Sequence, residues 1–195
     1  MEQLPIIIIS IVIIAVVAFV LWRKLGKGQY ITMHGVRIPK KFPYEFRTHG
    51  GVLVRSVVDI SVGIQAWIDE GIQRQIDAVG RLRPTWTACR RLSGYTVLLV
   101  EPMSYYSGDN PTIQGAPQLN VSDGRTASGM CIGTGDTYSE PCAVIPHQAG
   151  QAWRFPEYFL NSVRYESEHL TMWANDRAMY YQYQGGADVH PIFGD

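Results

Sequence analysis

"SVRYESEHLTMWAND", residues 162–176, is the stretch on which the reading of this chain turns. Glu166, Glu168 and His169 fall within four residues, while Phe159, Val163, Leu170 and Trp173 recur at helical steps around them. That period predicts a helix over Phe155–Trp173, with Pro156 in the first turn, where a missing N–H costs nothing. On such a helix, residues four apart share one face at about 6 Å. Positions 165–169 fit the H-E-x-x-H and H-x-x-E-H zinc motifs except at their start, where Tyr165 replaces the first histidine. A phenol, with a pKa of about 10, is a poor stand-in for imidazole.

Outward from that helix, "PCAVIPHQ" (141–148) predicts a strand over Ala143–Pro146, and "YTVLLVEP" (95–102) another one ended by proline. The stretch 103–118 is turn chemistry, and 118–133 suggests further short strands with a turn at Asp123-Gly124. "VLVRSVVDISVGIQAWIDEGIQRQIDAVGRL" (52–82) has helical periodicity through Val57, Ile60, Ile64, Trp67, Ile68, Ile72, Ile76 and Val79. Asp59, Gln65, Asp69, Glu70, Gln73, Arg74 and Asp77 fill its other face, and Gly80 offers a stop. The expected architecture is α+β, two long helices packed on one face of a short-stranded sheet. Trp67, Trp153, Phe155, Trp173, Tyr180, Tyr181 and Tyr183 are expected in the core or at an interface.

The chain has 195 residues with 17 basic and 17 acidic side chains, a size suited to one domain with appendages. A neutral balance, with no basic run interleaved with aromatics, gives no footing for a nucleic-acid partner. Residues 1–24 read as an uncleaved transmembrane anchor, and 25–50, rich in Gly, Pro and basic residues, as a tether leading into irregular or short-strand structure. Within the anchor, Leu4–Trp22 is free of charge and long enough to span about 30 Å of hydrocarbon, so the bilayer is an expected partner through residues 4–22. A cleaved signal peptide would want a basic start and a small-residue cleavage site, both missing around "MEQ" and "LWRKLGKG". Arg23, Lys24 and Lys27 place the following domain, 51–195, in the cytoplasm by the positive-inside rule. Cys131 and Cys142 argue for the outside, since they flank a Gly/Pro-rich loop that could close a disulfide there; the alternative is that both, with Cys89, stay reduced.

The element order and the cluster together resemble the zincin metallopeptidases, over residues 52–193. In that superfamily one helix supplies two histidines and the base, and a later residue supplies the third ligand. The resemblance implies Glu166 as general base, His169 as a metal ligand and His190, in "GGADVHPIF", as the later ligand, with His147 available to a rearranged site. Tyr165 breaks the pattern at the first ligand, and Glu168 adds like charge beside Glu166 unless Arg164 or His169 balances it. The expectation is therefore an inactive, metallopeptidase-like domain with no cofactor, serving as a structural or accessory subunit of a membrane assembly or self-associating. The alternative is an active zinc-dependent peptidase using Glu166, His169, His190 and His147. The competing plain readings are a solvated polar helix face for the cluster, a capped strand end for His147 and chemically idle positions for His34 and His49. No G-x-S-x-G elbow, Walker loop, G-x-G-x-x-G after a strand or C-x-x-C pair occurs, and "CIGTG" at Cys131 is a nucleophile candidate with no placed base.

Overall fold

A computed structural model describes residues 14, 16, 29–92, 94–122, 124–133, 141–149 and 153–183. Its strands are β1 (Tyr30–Met33), β2 (Val36–Pro39), β3 (Tyr44–Arg47), β4 (Leu53–Ser56), β5 (Thr96–Val100), β6 (Ser104–Tyr105), β7 (Pro117–Asn120), β8 (Thr126–Ala127), β9 (Met130–Ile132) and β10 (Cys142–Pro146). The helices are α1 (Val62–Leu82), α2 (Pro156–Asn175) and α3 (Arg177–Tyr183), with a 3-10 turn at Cys89–Arg91.

The main sheet has the order β3-β4-β5-β10-β9. β4, β5 and β10 run parallel, and β3 and β9 close the two edges antiparallel. A parallel neighbour cannot be reached by a tight turn, so α1 carries the chain from β4 back to β5. Every residue of β5 and of β10 is buried, as central strands covered on both faces require. Alternate residues divide between two cores. Val97, Leu99, Cys131, Ala143 and Ile145 face Ile64, Ile68 and Ile72 of α1 and Phe159, Val163 and Leu170 of α2. Leu98, Val100, Ile132, Cys142 and Val144 face Met33, Val36, Ile38 and Leu119, from the β1-β2 ribbon and β7. The α+β order with both long helices on one face matches the expectation, and a small β layer covers the other face.

The two helices meet closely at Gly71, where an added Cβ would lie 2.7 Å from the Leu160 carbonyl. α2 begins just after β10 because Gln148 holds both backbone groups of Phe155. Its amide donates to the Phe155 carbonyl at 3.1 Å, and its side-chain oxygen accepts from the Phe155 N–H at 3.0 Å. Trp153 then packs edge-on against Phe159 at 5.2 Å.

Two expectations are corrected here. The periodic stretch 52–82 is not helical throughout: Leu53–Ser56 is β4, its side chains alternating in burial, and α1 starts only at Val62 and runs past Gly80 to Leu82. A valine-rich run satisfies a helical and a strand template equally, and the parallel neighbour β5 decides for strand. The stretch read as a tether leading into irregular or short-strand structure supplies the short strands β1, β2 and β3, with Met33, Val36 and Ile38 buried. Finally, no helix among the described residues is long and apolar enough to cross a membrane. The two long helices confine their apolar residues to one stripe, and charged positions such as Asp69, Glu70, Arg74 and Arg164 occupy the rest. The expected N-terminal transmembrane helix and single-pass membrane location are therefore not shown among the described residues; apart from Ile14 and Val16, Leu4–Trp22 lies outside them.

Candidate functional site

The helix expected over Phe155–Trp173 is α2, Pro156–Asn175. Its middle turns do not form a solvated polar face. Glu166, Ser167, Glu168, His169, Leu170, Thr171 and Met172 are all buried. Each polar member has a neighbour to answer for it, as burial demands.

Glu168, buried at 2% exposure, lies 3.8 Å from Arg164 one turn back. Ser167 donates to the Val163 carbonyl at 2.7 Å, and its hydroxyl also meets that of Tyr95 at 2.7 Å. Thr171 accepts from the Gln75 amide at 2.7 Å, and the Gln75 side-chain oxygen accepts from the Cys89 thiol at 3.0 Å. This chain of contacts ties α1, the 3-10 turn and β5 to α2. Burial pushes the Cys89 thiol up to about 12, so it is an inert partner and not a nucleophile.

The remaining side chains converge under β9. His169 Nδ1 lies 3.3 Å from Glu166 Oε2, and a carboxylate accepts, so the ring nitrogen donates. Cys131 projects from β9 toward the same spot. Cys131, Glu166 and His169 each offer one ligand atom, all within 4.8 Å of one another, and all three residues are buried. Gly129, just ahead of β9, makes this approach possible: a Cβ there would sit 2.7 Å from Glu166 Cγ and 2.8 Å from Ile145 Cδ1. The Cys131 thiol also contacts the Tyr180 hydroxyl at 3.6 Å, which brings α3 to the cluster.

Tyr165 stands where the first zinc ligand would be. Its ring meets the His169 imidazole edge to face, with centroids 5.1 Å apart and planes at 84°. The spacing of a zincin motif is therefore present in space, but its chemistry is not. A phenol is packed against the would-be second ligand, and the would-be base is hydrogen-bonded to that same ligand. These residues do not fit the two-histidine site that the resemblance implies.

The other expected site residues lie elsewhere. His147, at the end of β10, is gripped at both nitrogens: Nδ1 accepts from the Ala149 N–H at 3.1 Å, and Nε2 meets Glu101 at 2.8 Å. That leaves the proton on Nε2, donated to Glu101, and makes His147 a capped strand end. His190 lies outside the described residues. Neither Cys131 nor Cys142 is part of a disulfide. Cys131 is in register with Ala143, and Cys142 with Ile132, so the two point to opposite faces of the sheet and into different cores. The expected disulfide is not formed.

Cys131, Glu166 and His169 also look like a thiol–imidazole–carboxylate catalytic group. Burial, and then the Glu166 charge, push the Cys131 thiol well above its ordinary value, opposite to what a nucleophilic thiolate needs. The sequence offers all three residues but not their grouping, because the sheet, and not the sequence spacing, brings β9 beneath α2. A separate groove of about 500 Å³ lies on the outer side of α1, lined by His49, Val52, Asp69, Glu70 and Arg90. It is tied to β3 and β4, at the opposite edge of the sheet from β9. Comparison of the chain with protein-family models, with curated proteins and with solved structures finds no match.

Proposed function

We propose that this chain carries a zincin-like α+β domain that works by binding, as a structural or accessory module, and does not hydrolyse peptides. The observation that carries the reading is the edge-to-face contact of Tyr165 with His169, at 5.1 Å. A zinc hydrolase needs three protein ligands and one open position for the attacking water. Here the first ligand position holds a phenol, and Glu166 is engaged with His169 and shielded from solvent. A carboxylate in that state has no metal-bound water to polarise. The residues around it, Ser167, Thr171, Gln75 and Cys89, form contacts that hold α1 and α2 together, the task of a scaffold.

The test is cleavage of denatured casein by the full-length protein in the presence of Zn²⁺. The expected result is cleavage no greater than that of Glu166→Gln. Zinc-dependent cleavage that disappears in Glu166→Gln overturns the reading.

A further inference from the structure

We infer that Cys131, Glu166 and His169 form a buried site for one Zn²⁺ ion. Glu166 serves as a ligand in it and not as a base. The inference deepens the non-hydrolytic reading by giving Glu166 another task, and it stands on a ligand set that the H-E-x-x-H pattern does not contain.

The geometry carries it. Bonds of about 2.0–2.1 Å to nitrogen and oxygen and about 2.3 Å to sulfur give tetrahedral edges of roughly 3.4–3.6 Å between ligand atoms. The His169 Nδ1 to Glu166 Oε2 edge is 3.3 Å. All three ligand atoms lie within 4.8 Å of one another, so closing on an ion asks for shifts of about 1 Å. Two ligands share one rigid helix at a spacing of three residues, and the third stands on a strand of the main sheet.

The chemistry agrees. A soft thiolate and a borderline imidazole, with a hard carboxylate, form a mixed donor set that suits Zn²⁺ better than Mg²⁺ or Ca²⁺. On binding, the Cys131 thiol proton leaves to solvent and the imidazole proton resides on Nε2. The ion's two positive charges then balance the thiolate and the carboxylate, so the buried site is neutral. All three residues are less than a tenth exposed, so an ion held there would be shielded from bulk solvent and from a substrate. The Tyr180 hydroxyl, 3.6 Å from Cys131 Sγ, borders the site.

Full-length protein prepared under reducing conditions, stripped with chelator and dialysed against Zn²⁺, should hold one zinc per chain by elemental analysis. Cys131→Ser and His169→Ala should each weaken binding by more than about 100-fold, beyond the 10–100-fold typical of losing an outer-shell partner. His49→Ala, at an exposed position, should leave it unchanged. Co²⁺ in place of Zn²⁺ should give a thiolate-to-cobalt charge-transfer band in the unmutated protein, which tests the sulfur ligand even if the variants fail to fold. Zinc below a tenth of an equivalent, zinc retained in Cys131→Ser, or a cobalt spectrum without the charge-transfer band overturns the inference. These readouts concern metal alone, so they are separable from the casein assay.

Discussion

Tyr165 and His169 are one helical turn apart, and their rings meet at 84° with centroids 5.1 Å apart. The tyrosine thus fills the place in space, and not only in sequence, that a first zinc ligand would take. Tyr165→His should put a second imidazole beside the cluster and tighten Zn²⁺ binding at least about ten-fold, because one added ligand on the same helix face brings no new chain ordering. Competition against a chromophoric chelator measures it. An unchanged or weaker affinity would show that residue 165 does not face the ion.

Gly129 and Glu166 set the height at which α2 rests on β9. A methyl group at residue 129 would fall 2.7 Å from Glu166 Cγ, closer than carbon atoms approach. Gly129→Ala should therefore cost roughly 1–3 kcal/mol, the usual effect of overpacking, and lower the melting temperature by several degrees. Gly80→Ala, with open space around the added carbon, should be neutral or slightly stabilising. Thermal unfolding of the two variants side by side checks the contrast.

Much of the fold could be read from the sequence. Thr96–Val100, Cys142–Pro146 and the two long helices follow from runs and periods that single residues display. The β4 strand was hidden because Val52, Val54, Val57 and Ile60 fit two periods at once. β1, β2 and β3 were legible only as short-strand structure, because four-residue strands do not show their bounds or pairing until a partner covers them. The site was half legible. Glu166 and His169 are neighbours by helical spacing alone, whereas Cys131 joins them only through strand order. One sequence signal pointed to it: Gly129, two residues before Cys131, marks a place where another element comes close.

The thiol network gives a pH prediction. Burial raises Cys89 from 9.0 to about 12 in the folded protein. The folded state thus holds a proton that the unfolded state releases, so stability from this group is complete below about 9 and is lost as pH rises through about 12. Denaturant midpoints should fall progressively across that window, and less so in Cys89→Ala. A midpoint that fell equally in both proteins would place the alkaline sensitivity elsewhere.

Opposite-facing cysteines predict chemistry as well. Cys131 and Cys142 belong to the two different cores on either side of the sheet. Air-oxidised native protein, unfolded and alkylated, should show all three cysteines modified by mass spectrometry. A peptide linking residues 131 and 142 would contradict the register of β9 against β10.

The central claim is that β9 and α2 together make one site from sulfur, oxygen and nitrogen. X-ray absorption at the zinc edge, on full-length protein carrying the ion, tests it most directly. The account predicts one sulfur neighbour at about 2.3 Å, with the remaining neighbours, nitrogen and oxygen, at about 2.0–2.2 Å. A shell of nitrogen and oxygen alone would contradict it, as would a protein that takes up no zinc.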